Sequence, residues 1–362
     1  MGATLSEPVT TKESSEGGDA RVLFGASSMQ GWRISMEDAH TTIPEHENTG
    51  ASFFAVFDGH GGNKVANYSG ANLYKRLFES KLFKSGDYRE ALRRSYLGID
   101  EALRVDPEFT NDTSGCTAVA ALLTKDNVLY VSNAGDSRAV LSVDGKAIAL
   151  SQDHKPGNPK ETERIEKAGG HVEFGRVNGN LALSRALGDF DFKQNKELPA
   201  EEQVVTAEPD ISEHKLTPRD EFVVLACDGI WDCMTNQQVV DFVRDGIKQK
   251  KSLKEICEEL MDECLADHSD IGGVGCDNMT VIIVALLQGK TSDQWFEHIG
   301  EKVPNRPVVR KEKDVLKPSD RTEEPEAKKQ RQQGDIEEKL DGIIQETSKL
   351  REASTPKGEE QI

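Results

Sequence analysis

The chain has 362 residues, enough for two average domains or one large domain with extensions. A net charge of −19 argues against a sequence-independent binder of nucleic-acid backbones, and an apolar fraction of 36% points to polar extensions outside a folded core. No apolar run reaches eighteen residues and no secretory signal is read. The six cysteines (116, 227, 233, 257, 264 and 276) lack C-x-x-C spacing. These features predict a soluble protein with reduced thiols, cytoplasmic or nuclear.

Met1-Gly2-Ala3-Thr4-Leu5-Ser6 fits the pattern for N-myristoylation of Gly2, although a glycine second and a hydroxyl sixth are easily met by chance. One acyl chain without a polybasic neighbour gives weak membrane association at most. Residues 1–20 read as a flexible polar leader. Val22 to Ser28 is a short strand candidate. Residues 29–40, which carry Arg33, Glu37 and Asp38, read either as a charged turn or as a phosphate-clamping loop. The run Phe53 to Phe57 has the length of a buried strand and ends in Asp58-Gly59-His60-Gly61-Gly62. Such a tip is either an ordinary Asp-Gly turn or a strand presenting a metal ligand.

Apolar stripes predict helices over 64–83 and 88–104, both presenting core faces. Four strand candidates follow, at 117–124, 127–132, 137–143 and 146–150, separated by turn signals and read as one antiparallel meander. A short helix is predicted from Pro159 to Ala168, with Pro in its first turn and two glycines past its end. The glycine-punctuated stretch from Gly175 to Asp189, with a polar continuation to Gln203, is either a flap over a site or a plain connection. Phe222 to Cys227 is another strand, running into Asp228. Thr235-x-x-Gln238 and Ser252-x-x-Glu255 are capping boxes heading helices through Ile247 and His268. Asp277-Asn278 immediately precedes the apolar run Met279 to Leu286. The composition becomes tail-like from about residue 293, with a short helix expected over 335–351, where Ile336, Leu340, Ile343 and Leu350 fall at 4-3 spacing.

Four apolar runs therefore each carry an aspartate near one end: Asp58, Asp136, Asp228 and Asp277. If those ends meet, hard oxygen ligands converge on a small volume. Like charges so close raise one another's pKa unless cations lie between them, which outlines a binuclear magnesium or manganese site.

Seven stretches, in this order, resemble the metal-dependent serine/threonine protein phosphatases of type 2C. They are Gly31-Trp32-Arg33-x-x-Met36-Glu37-Asp38, Val56-Phe57-Asp58-Gly59-His60-Gly61-Gly62, Ser114-Gly115-Cys116-Thr117-Ala118, Asn133-Ala134-Gly135-Asp136-Ser137-Arg138, Leu183-Ser184-Arg185-Ala186-Leu187-Gly188-Asp189, Leu225-Ala226-Cys227-Asp228-Gly229-Ile230-Trp231-Asp232 and Asp277-Asn278-Met279-Thr280. The likeness covers about residues 21 to 290, and the tail resembles that of the fungal members.

The resemblance implies an α+β fold, a four-layer α-β-β-α sandwich of two antiparallel sheets, with a catalytic domain over 21–292 and a tail over 293–362. It implies that Asp58 bridges two Mg²⁺ or Mn²⁺ ions and that the Gly59 carbonyl joins one of them. Asp228 and Asp277 would hold the other ion, Glu37 and Asp38 would hold metal-bound waters, and Asp136 would help a third, weaker ion. Arg33 would clamp phosphate, His60 would be the general acid, and Arg185 and Asn278 would support them. Two such ions activate a water that bridges them for attack on phosphorus. Cys227 is disfavoured as a nucleophile, because it lies inside an apolar run where a thiol pKa rises. The implied substrates are phosphoproteins such as signalling kinases, acted on by a monomer. A two-metal nuclease would share the carboxylates but need a basic groove. A catalytically silent phosphoprotein-binding module of the same fold is the alternative, and turnover separates it from an enzyme.

Overall fold

The computed structural model describes residues 4–269 and 273–303. The chain begins with a hairpin of β1 (Thr4–Gly18) and β2 (Val22–Arg33), then β3 (Ala39–Ile43), β4 (Ser52–Phe57) and the two-residue β5 (Gly59–His60). Helices α1 (Lys64–Glu79), α2 (Lys81–Lys84) and α3 (Tyr88–Val105) follow. Next come β6 (Gly115–Cys116), β7 (Ala118–Leu123), β8 (Val128–Ala134), β9 (Arg138–Val143) and β10 (Lys146–Ala149). Helix α4 (Pro159–Lys167), the small hairpin β11 (Val172–Glu173) and β12 (Arg176–Val177), and β13 (Leu187–Gly188) lead to β14 (Asp210–Lys215) and β15 (Asp220–Ala226). The remainder is α5 (Asp228–Trp231), α6 (Asn236–Lys248), α7 (Leu253–Cys264), β16 (Met279–Leu286) and α8 (Ser292–Lys302).

Two antiparallel sheets carry the architecture. One has the order β1-β2-β16-β15-β9-β10 and the other β14-β8-β7-β4-β3. Side chains alternate across each strand, so the central strands, covered on both faces, read as largely apolar runs. Along β16, Ile282, Val284 and Leu286 meet the other sheet, while Val281, Ile283 and Ala285 face α6 and α7. Along β4, Phe54 and Val56 enter the space between the sheets, while Phe53, Ala55 and Phe57 pack with Leu73, Leu77, Leu92 and Tyr96 of α1 and α3. Three apolar layers therefore hold four layers of structure, the expected α-β-β-α sandwich.

The predicted leader is an edge strand instead. Residues 4–18 pair antiparallel with β2, from Gly18↔Leu23 to Thr4↔Arg33, with two register shifts. Its side chains are mostly exposed, so the sequence has no apolar alternation to announce it. Backbone pairing, a Ser14–Ser27 hydroxyl contact at 2.9 Å and a Lys12–Asp262 ion pair at 2.7 Å hold it. The Asp19 carboxylate accepts from the Arg21 and Val22 amides at 2.8 Å and fixes the turn.

The predicted single meander is divided. β7 pairs with β8 and β9 with β10, but β8 and β9 belong to different sheets. α1 stops at Glu79, where Ser80 turns extended and caps α2. Both capping boxes form, on α6 and α7, but α7 ends at Cys264 because Leu265 is extended. The predicted tail begins too early: Thr291 and Gln294 form a third capping box, and α8 buries Trp295 and Ile299. Gly2 and the helix expected over 335–351 lie outside the described residues.

Candidate active site

Strand pairing brings the four aspartate-bearing ends together. β15 and β16 are antiparallel with Ala226 opposite Val281, which places Asp228 and Asp277 at one end of that sheet. Ala134 pairs with Ala118 in one sheet and Arg138 with Ala226 in the other, so residues 135–137 cross between the sheets and deliver Asp136 to the gap. Gly135 has φ +127°, and a Cβ there would lie 2.4 Å from Thr117, so only glycine makes the crossing. The Thr117 amide donates to the Asp58 carbonyl at 2.9 Å, anchoring the tip of β4 at the same place.

Asp58, Asp136 and Asp228 each offer a carboxylate oxygen within 4.8 Å of the others, and Asp38, Asp58 and Cys227 form a second such group. Burial, then the neighbouring Asp228, raises the Asp58 pKa well above the usual carboxylate range. Burial, then Asp136 and Asp277, does the same to Asp228. Asp38 is pushed up to about 7 by burial, against the hydrogen bond it accepts from Thr280 at 2.7 Å. Its other oxygen, Oδ1, is buried with no hydrogen-bond partner among the described residues. A buried orphan oxygen and crowded carboxylates suit a hard divalent cation, which would supply both the missing partner and the missing charge. The residues present therefore fit a metal centre. Cys227 is fully buried with its thiol pKa raised, chiefly by burial, which removes it as a nucleophile.

Around this cluster the other expected residues take distinct positions. The Arg33 guanidinium meets Asp277 at 2.5 Å and stays 40% exposed. Asp277 thus faces Arg33 and belongs to neither tight group. Glu37 is also outside them: its carboxylate accepts from the Ser35 hydroxyl at 2.8 Å and the Gly62 amide at 3.2 Å. Gly59 lies against the Glu37 carbonyl, 2.1 Å from where a Cβ would stand, so no other residue fits there. Asn278, buried, donates to the carbonyls of Gln30 and Ser35 and accepts from the Glu37 amide at 3.0 Å. It straps the Arg33 loop to the head of β16.

His60 Nε2 pairs with Asp189 Oδ2 at 2.7 Å. Burial lowers the imidazole pKa, but the Asp189 charge and hydrogen bond prevail and raise it. Gly115 makes room: a Cβ there would meet both Asp189 Oδ2 and His60 Nε2. The sequence reading placed Asp189 in a motif without a role. Its signal was the Gly188-Asp189 pair, both residues at positive φ in the structure. Two further neighbours were missed. Lys155 pairs with Asp136. Asp232 lies one turn beyond Asp228, with its pKa raised by burial against the Lys155 charge.

Arg185 pairs outside the aspartate cluster. Its guanidinium is held by Glu161 at 2.7 Å, Asp210 at 2.9 Å and the Glu208 carbonyl at 3.0 Å. Asp210 in turn contacts His154, whose Nδ1 accepts from the Gly135 amide at 3.2 Å. Arg185 is a brace behind the Asp136 crossing.

Two packed antiparallel sheets thus end at a buried carboxylate cluster, with a guanidinium at its edge and an acid-paired imidazole beside it. The sequence model of the protein phosphatase 2C family matches residues 22–270. Among similar proteins, protein phosphatase 2C homolog 2 of Hypocrea jecorina is 54% identical, over 84% of this chain and 72% of that one. Protein phosphatase 2C homolog 2 of Schizosaccharomyces pombe is 53% identical, over 84% and 83%. A solved Toxoplasma gondii phosphatase superposes with a TM-score of 0.65 at 28% identity, covering 76% of this chain and 96% of that one. The chain belongs to the protein phosphatase 2C family. It is a metal-binding protein serine/threonine phosphatase, and its substrates are phosphoproteins.

Proposed function

We propose that the chain hydrolyses phosphoserine and phosphothreonine at the carboxylate cluster, with two Mg²⁺ or Mn²⁺ ions shared through Asp58. Asp228, Asp277 and the Gly59 carbonyl would complete their protein ligands, Glu37 and Asp38 would hold their waters, and Asp136 would serve a third, weaker ion. When bound, such ions supply an activated water at neutral pH and neutralise charge on the phosphoryl group. The observation that carries this reading is the convergence of Asp58, Asp136 and Asp228 within 4.8 Å, from three different strand ends.

The remaining work falls to side chains of this chain. Arg33, oriented by Asp277 and still accessible, has donors left to grip two phosphoryl oxygens. His60, whose pKa the Asp189 charge and hydrogen bond raise against burial, is paired through Nε2, and its Nδ1 would protonate the departing serine or threonine oxygen. The alkoxide of a serine or threonine is a poor leaving group, so this proton matters for proteins more than for aryl phosphates. The reading includes signalling kinases among the substrates, a monomer and at most weak membrane association. The reading also includes a reducing, cytoplasmic or nuclear setting, in which thiols persist.

The test is phosphate release from a phosphothreonine peptide, first with EDTA and then with excess Mn²⁺ or Mg²⁺. Activity should vanish with chelator and return with metal, and Asp58→Asn should abolish it while circular dichroism shows an intact fold. Silence of the wild type under every metal favours the phosphoprotein-binding module. A wild-type rate in Asp58→Asn sinks the assignment of the cluster.

A further inference from the structure

Among the described residues, six large apolar side chains are exposed, and two of them, Ile34 and Val274, lie near Arg33 and Asp277 along the chain. Ile34, 63% exposed, follows Arg33 directly, and Val274, 65% exposed, lies three residues before Asp277. Single exposed apolar residues are ordinary on protein surfaces, so position and rigidity must decide whether Ile34 is more than that.

The loop that carries Ile34 is fastened on both sides. The Gln30 side-chain amide donates to the Arg33 carbonyl at 2.8 Å. The buried Asn278 amide donates to the Gln30 carbonyl at 2.7 Å and to the Ser35 carbonyl at 3.0 Å. Trp32 packs inward and donates its indole N–H to the Ala266 carbonyl at 2.9 Å. Gly31, at φ +65°, lies so close to the Asp277 carbonyl that a Cβ would come within 2.7 Å of it. Ile34 therefore stands out from a backbone pinned at Gln30, Arg33 and Ser35, and as a β-branched residue it has little rotamer freedom to lose on contact. If Arg33 grips phosphate, the pinned backbone sets this exposed apolar side chain on the very next residue, within reach of a side chain flanking the phosphorylated one.

We infer that Ile34 is a specificity residue for protein substrates, receiving an apolar side chain adjacent to the phosphoserine or phosphothreonine. This rests on the phosphatase reading above and adds the class of sequence it favours. The partner is a phosphopeptide with leucine, valine or a similar residue flanking the phosphorylated position.

The experiment compares phosphothreonine peptides differing only in leucine or glutamine before or after the phosphothreonine, so that size is held and charge stays neutral. The values of kcat/KM for wild type, Ile34→Ala and Ile34→Lys are measured with Mn²⁺, alongside an aryl phosphate that has no neighbouring side chain. The wild type should favour leucine at one flank by about tenfold, the lower end of what a hydrophobic contact discriminates. Both substitutions should reduce that ratio to about one by losing rate on the leucine peptide. An unchanged leucine-to-glutamine ratio in Ile34→Ala overturns the inference. So does an equal loss on both peptides and the aryl phosphate, which would make Ile34 a structural support. A wild type inert towards every substrate fails the phosphatase reading itself, a result distinct from a flat preference.

Discussion

At the scale of single residues, His60 and Asp189 form a unit made by tertiary contact. They lie 129 positions apart, and their ring–carboxylate contact of 2.7 Å requires glycine at 115. If His60 protonates the leaving oxygen, His60→Ala should lower phosphopeptide turnover by about a hundredfold or more, the usual scale of general acid catalysis, and aryl phosphate turnover much less. Asp189→Asn should show the same asymmetry with a smaller loss, because it removes the charge that holds the imidazole and leaves the ring. Steady-state kinetics on the two substrates check both, and equal losses on both would remove the acid role.

At the scale of elements, α4 is tied to the segment before β14 by a buried ionic group. Glu161 is 3% exposed and accepts from Arg164 and Arg185 at 2.7 Å and from the Ser184 hydroxyl at 2.7 Å. Burial pushes its pKa up, but the Arg185 hydrogen bond and the charges of Arg164 and Arg185 prevail and hold it down to about 2. A carboxylate depressed in the folded state stabilises above its unfolded pKa, near 4.5, and loses that contribution as pH falls towards 2. Glu161→Gln leaves two arginines facing a neutral amide and should cost about 3 kcal/mol at pH 7, the scale for breaking a buried pair. Urea unfolding of wild type and variant should give a gap that is constant above pH 5 and narrows below 4.5. A gap as wide at pH 3 as at pH 7 would show that the charge is not what stabilises.

At the scale of the whole molecule, both sheets end at the carboxylate cluster, so their packing and the cluster's repulsion oppose each other. A cation that binds only the folded state stabilises it by about 2.7 kcal/mol at a hundred times its dissociation constant. Thermal unfolding in EDTA and then in rising Mn²⁺ should show a melting temperature that climbs with metal, and Asp58→Asn should flatten the climb. A melting temperature indifferent to Mn²⁺ in the wild type would remove the metal centre.

The sequence by itself determined the strands that bury both faces, since the runs 53–57, 222–227 and 281–286 are apolar on both faces and satisfy two layers at once. It also determined the starts of α6 and α7, through capping boxes that are local in the chain, and the aspartates that lie at the ends of the apolar runs. Tertiary structure decided what depends on partners far along the chain. β1 is polar along most of its length and becomes a strand only because β2 offers it a free edge. The division of β8 from β9 follows from the crossing at Gly135, which turn signals alone do not distinguish from a hairpin. Arg185 and Asp189 lie four residues apart in one motif, yet Glu161 draws one into a brace and His60 draws the other into the site. Charge pairing acts through space over a few ångströms, and no spacing along the chain encodes it.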